Sequence, residues 1–115
     1  MIFSDSLKKT KDFALVYQKG TSKADRYLVI YVLKNRSAQN RLGISVSKKV
    51  GNSVIRHRIT RLIRESYRLQ EDMFNSGLDI VVIARVNAKN ASYHDIESAL
   101  LHLGGLHKII HQENN

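Results

Sequence analysis

The sequence predicts an α+β fold, a single-domain α-β sandwich in which helices cover a small sheet in the order α-β-β-α-β-α. Three observations predict it. Short apolar runs of strand length recur at Tyr27 to Leu33, Leu42 to Ser47 and Asp79 to Arg85. Between the second and third runs the apolar spacing changes from two residues to the 3.6 of a helix. A serine-led cap signal then opens a last helical stretch at Ser92. At 115 residues and 43% hydrophobic content the chain is long enough for one core and too short for two.

The elements follow in order. Thr10 is the predicted N-cap of a first helix, with Asp12 in its first turn, Gly20 placed to close it, and Phe13, Val16 and Tyr17 among its apolar residues. Tyr27 to Leu33 is apolar on both alternating faces, which predicts a central strand covered on both sides. A polar connection, Lys34 to Asn40, leads to the next strand, where Leu42, Ile44 and Val46 alternate with Gly43, Ser45 and Ser47. Its small-residue face allows another backbone or a phosphate to approach closely.

After Gly51 and Asn52, the residues Ile55, Ile59, Leu62, Ile63 and Ser66 share one helical face up to about Leu69. Asp79 to Arg85 is a continuous apolar strand. Ser92 with Asp95 resembles a capping box, Ile96, Ala99, Leu100 and Leu103 form the stripe of a third helix, and Gly104 and Gly105 end or interrupt it.

Charge narrows the function. Lys and Arg number 19 against 10 Asp and Glu, a net charge of +9 that calls for a polyanionic partner. Residues 1–40 hold 8 basic and 3 acidic groups, residues 41–70 hold 8 and 1, and residues 71–115 hold 3 and 6. A uniformly basic solvated surface would not leave the last third acidic. The absence of Cys excludes disulfides, thiolate metal sites and cysteine nucleophiles. The start, Met1 to Asp5, lacks the pattern of a secretory signal, and no apolar run approaches a membrane span, so the chain reads as soluble and cytoplasmic.

The second helix concentrates the basicity. At about 100° per residue, His57, Arg61, Arg64 and Arg68 fall in a sector of roughly 60° opposite Ile59, Leu62 and Ile63. Arg56 and Arg58 open the helix, and Lys48 and Lys49 precede it. A guanidinium donates two hydrogen bonds to one phosphate and stays charged at any working pH. The competing reading is a solvated face laced with salt bridges, but from Arg41 to Gln70 only Glu65 is available to neutralise it. A helix-turn-helix DNA reader would place two short helices around a tight turn; here the basic helix lies between strands, which favours readout of backbone and shape in structured RNA.

The segment from Arg41 to Glu65, RLGISVSKKVGNSVIRHRITRLIRE, resembles the signature of bacterial ribonuclease P proteins. Lys48, Lys49, Val50, Gly51, Asn52, Val54, Arg56, Arg58, Arg61 and Arg64 match it in type and spacing. His57 stands where Asn is usual and Thr60 where Lys is usual. The segment from Asp12 to Gly20, the strand with Tyr31 and the DIVVIAR strand follow in family order.

The resemblance implies a subunit that does not itself cleave RNA. In that family the catalyst is an RNA that uses Mg²⁺, and the protein binds this RNA and the 5′ leader of precursor tRNA. It implies contacts to the catalytic RNA from Lys48, Lys49, Asn52, Arg56, His57, Arg58, Arg61, Arg64 and Arg68, and to the leader from Phe13, Tyr17 and Tyr31. Aromatic faces stack unpaired bases with little sequence preference. Phe13 and Tyr17, at i and i+4, make an ordinary core seam as readily; the resemblance favours stacking for Tyr17 and Tyr31 and leaves Phe13 between the two roles. It also implies a left-handed β-α-β crossover, shared with certain ribosomal protein domains and opposite to the usual hand.

Other functions fit less well. An autonomous nuclease needs an acid–base pair or clustered metal ligands. Glu71 with Asp72 and Asp95 with Glu97 are close in sequence but make no convincing acid–base pair, and His107 and His111, at i and i+4, have no third ligand nearby, reading as a solvated terminal helix. No catalytic residue, protein-held metal, membrane contact or obligate protein partner is expected. A structural RNA-binding protein, such as a ribosomal component or RNA chaperone, shares the basic patch and differs by lacking the extended motif and the aromatic candidates.

Overall fold

The computed structural model describes residues 4–111. The reading of Met1 to Phe3 as free of a targeting signal therefore lies outside the described residues. The chain runs β1 (Ser4–Ser6), α1 (Thr10–Lys19), β2 (Thr21–Ala24), β3 (Leu28–Lys34), β4 (Asn40–Ser45), α2 (Ser53–Gln70), β5 (Leu78–Ala84) and α3 (Tyr93–Leu106). Short 3-10 turns at Glu71–Met73 and Val86–Asn90 flank β5. The predicted order is present with two additions, the edge strands β1 and β2. Both are short and polar, SDS and TSKA, so no alternation of side chains announces them.

The sheet order is β1-β4-β5-β3-β2. β5 pairs antiparallel with β3 and parallel with β4. The middle strand is therefore β5, not the Tyr27 to Leu33 strand expected there. β5 is the strand buried nearly throughout. On β3 only Leu28, Ile30 and Val32 are buried, while Val29, Tyr31 and Leu33 face a partly open side.

Helices α2 and α3 cover one face of the sheet. Ile59, Ile63 and Tyr67 from α2 and Ile96, Leu100 and Leu103 from α3 pack on Leu28, Ile30, Leu42, Ile80 and Val82. The stripe predicted for α2 is this inner face, with Ile55 and Leu62 at its margin. α1 covers part of the other face, where Val16 is buried with Leu7 and Val81.

Tyr67 carries the inner core's polar anchor. Its hydroxyl lies 2.8 Å from Ser4 Oγ and accepts from Asn40 Nδ2 at 3.4 Å. Asn40 also donates to Asn75 O at 2.7 Å and accepts from Leu78 N at 2.9 Å. A buried hydroxyl without such partners would be strongly destabilising.

Helix ends show where local signals held. Ser92 and Asp95 form the predicted capping box. The first helix begins one residue earlier than predicted, with Lys9 at the N-cap and no side-chain cap. α3 runs through Gly104 and Gly105 to Leu106, because Gly104 is a packing residue: a Cβ there would lie 2.5 Å from the Ile110 side chain. Ile110 belongs to a clasp in which Asn75 N donates to Ile109 O and His111 N to Met73 O, both at 2.7 Å.

Arg41 and Asp79 face each other in register across β4 and β5. The guanidinium donates from Nε at 2.8 Å and from Nη2 at 2.6 Å, and Asn35 Nδ2 adds a third bond at 3.0 Å to the carboxylate. Burial by itself would raise the Asp79 pKa; the bonds from Arg41 and Asn35 outweigh it and hold the carboxyl below its usual value. A depressed folded-state pKa stabilises above the unfolded value and loses that contribution as pH falls through the folded value. Urea stability of the wild type should therefore fall more steeply than that of Asp79→Asn between about pH 5 and about pH 3. At neutral pH Asp79→Asn should be less stable by about 1–2 kcal/mol, read from urea midpoints. Parallel acid profiles would contradict the ionic role of Asp79.

Candidate nucleic-acid interface

The apolar stripe of α2 is committed to the core, so the opposite side must face out. His57, Arg61, Arg64 and Arg68 are all exposed. His57, Arg61 and Arg64 enter none of the ion pairs among the described residues. Arg68 does: its guanidinium grips Glu65 with two bonds, and that pairing holds the Glu65 carboxyl below its usual pKa. Three of the four residues therefore stand outside any ion pair among the described residues. Glu65 lies one turn away, at i and i+3, and takes the fourth.

Several motif residues have structural work of their own. Asn52 caps α2, its side-chain oxygen accepting from Ile55 N at 3.0 Å. Arg58 reaches across to the 3-10 turn at Val86–Asn90, donating to Lys89 O at 2.7 Å and Ala91 O at 3.3 Å. Arg56 is half-buried, with its Nε enclosed and lacking a hydrogen-bond partner among the described residues. Thr60, the departure from the family's Lys, donates to Arg56 O at 2.8 Å. Lys48 and Lys49 are exposed in the turn before the helix, while the intervening core anchor Val50 is buried.

The second surface is the open face of the sheet beside α1. Phe13 and Tyr17 lie 6.3 Å apart between ring centroids, and Tyr17 meets Tyr31 edge-on at 5.1 Å. Phe13 is half-buried against Gly43, whose missing side chain makes room for the ring: a Cβ would lie 2.6 Å from Phe13 Cζ. Tyr17 is 39% exposed. Burial raises its hydroxyl pKa, and the nearby Ser45 side chain opposes that rise. The core seam of α1 is thus Val16, with Phe13 at its margin and the two tyrosines at the open rim. The small-residue face predicted for β4 exists, and an aromatic ring occupies its close approach.

The alternative chemical candidates are used as structure. Asp95 is a cap, and Glu97 accepts from Tyr93 Oη at 2.8 Å and Gln70 Nε2 at 3.2 Å. His107 and His111 do not share a helix, since α3 ends at Leu106. Nε2 of His107 bonds to Ile30 O at 2.8 Å instead, and burial lowers the ring's pKa. Among the described residues no group of three or more His, Asp and Glu side chains is placed to hold a metal ion.

The Arg41–Asp79 pair escaped sequence reasoning, although a charge inside each of two apolar strands was its signal. The 3-10 turn at Val86–Asn90 escaped too; its recurrent Asn residues were the only mark.

A family model described as Ribonuclease P matches residues 3–107. The Ribonuclease P protein component of Lachnoclostridium phytofermentans is 63% identical over 107 residues, covering 93% of this chain and 92% of the relative. That of Alkaliphilus metalliredigens is 55% identical over 100 residues, covering 87% and 90%. The solved RNase P protein of Staphylococcus aureus is 39% identical, covers 94% of this chain and 99% of its own, and superposes with a TM-score of 0.86. The solved protein of Thermotoga maritima is 31% identical, with coverage of 86% and 94% and a TM-score of 0.80. Sequence and architecture agree across nearly the whole described chain, and the chain belongs to the ribonuclease P protein family.

Proposed function

We propose that this chain is the protein subunit of a ribonuclease P, promoting removal of the 5′ leader from precursor tRNA while a partner RNA performs the cleavage. The observation that carries this reading is the outward face of α2, where His57, Arg61 and Arg64 stand exposed and enter no ion pair among the described residues. Such a face lowers its free energy by exchanging counterions for phosphates. It binds the catalytic RNA, joined by Lys48, Lys49, Arg56 and Arg68. Asn52 and Arg58 contribute mainly by fixing the start of α2 and the turn beside it. The leader lies along the open sheet face, its bases against Tyr17 and Tyr31 and the edge of Phe13. Supporting this is the exposure of Tyr17 beside a sheet face that α1 leaves partly open.

Mg²⁺ acts on the RNA in this reading. The protein's cations reduce repulsion between catalytic RNA and substrate, so added protein should lower the Mg²⁺ concentration needed for 5′ cleavage of a precursor tRNA by a bacterial ribonuclease P RNA. No activation at low Mg²⁺ would sink the proposal. Replacing Arg61 and Arg64 together with Ala should weaken binding to that RNA and flatten the dependence of log affinity on log salt by about two phosphate contacts. An unchanged slope would move the RNA surface elsewhere. Tyr31→Ala should weaken binding of leader-bearing precursor by about tenfold, within the range for one stacked base, and leave mature tRNA nearly unaffected. Equal losses for both would remove the leader-stacking role.

A further inference from the structure

The outward side of β4 presents alternate residues, and two of them, Arg41 and Gly43, engage α1. Arg41 Nη1 reaches Asp12 Oδ2 at 3.5 Å. Gly43 receives the Phe13 ring so closely that a Cβ would lie 2.6 Å from Cζ and 2.8 Å from Cε1. The two rungs progress together along strand and helix: an ion pair and a ring seated over a glycine.

Each rung has a reason to be stiff. The Arg41 head is gripped by Asp79, whose side chain is only 4% exposed, so it cannot swing to follow the helix. The start of α1 has no side-chain cap of its own, and its placement depends on tertiary contacts. Gly43 allows one depth of approach, set by van der Waals contact with Phe13. One turn beyond Phe13, the Tyr17 ring stands edge-on to Tyr31 at 5.1 Å.

We infer that this face of β4 positions α1, making Arg41 and Gly43 positioning residues that set the spacing of Tyr17 and Tyr31 for single-stranded RNA. The inference rests on the proposed leader contact at those tyrosines. Neither positioning residue touches the RNA. A helix displaced at Asp12 or Phe13 pivots as a rod, and the ring one turn further on moves away from Tyr31.

The test uses the holoenzyme assembled with a bacterial ribonuclease P RNA. The readout is the ratio of affinities for a leader-bearing precursor and for mature tRNA, which a general loss of folded protein would not change. Gly43→Ala and Asp12→Asn should each lower that ratio by about threefold or more, part of the contribution of one stacked base. Affinity for the RNA subunit and its salt slope should stay at wild-type values. Asp12→Asn is the milder change, since it leaves the Arg41–Asp79 grip intact, and it decides the matter if Gly43→Ala does not fold. A ratio lowered by Tyr31→Ala but by neither of these variants overturns the positioning role alone. A ratio unmoved by Tyr31→Ala overturns the leader reading and this inference with it.

Discussion

β4 and β5 lie side by side and parallel, and parallel neighbours cannot be joined by a tight turn. The chain must travel back along a face of the sheet, and α2 is the element that does so. A helix in that position buries one stripe and exposes the other. The buried stripe is Ile59, Ile63, Ser66 and Tyr67, so the arginines are turned outward by the same contacts that close the core. Stability and charge display are two sides of one helix.

The pairing also explains the strand between. β5 inserts between β3 and β4, which are consecutive in sequence, and is buried on both faces as a result. Its register with β4 puts Asp79 opposite Arg41, where a carboxylate with little solvent would be costly without its partner. From that pair Arg41 reaches Asp12, and the open side of the sheet acquires a helix at a defined distance. The basic face and the aromatic face thus grow from neighbouring strands of one sheet, on elements that lie on its opposite sides.

Within the arginine motif, spacing and role separate. Among the described residues Arg61 and Arg64 enter no ion pair, whereas Arg58 ties α2 to backbone carbonyls and Arg68 is held by Glu65. Asn52 uses its oxygen as a helix cap. One motif therefore supplies both an exposed basic surface and a frame that holds that surface still. Arg suits both, since its five N–H donors can reach separate carbonyl oxygens or pair with an anion through its fork.

What the sequence by itself determined is local. Period-two and period-3.6 patterns located β3, β4, β5, α2 and α3 to within about two residues, a usual margin at element ends. The same 3.6 period put His57, Arg61, Arg64 and Arg68 on one outward face, because repeat angle and apolar stripe are properties of the segment alone. β1 and β2 stayed hidden because three or four polar residues at a sheet edge carry no periodic signal. The tertiary structure alone decided that β5 would be the middle strand, that Arg58 would be a strut, that Gly43 would receive Phe13, and that Tyr17 and Tyr31 would meet at 5.1 Å. Each of those depends on register between segments far apart in the chain, and register is set by packing the whole core together rather than by any one segment's pattern.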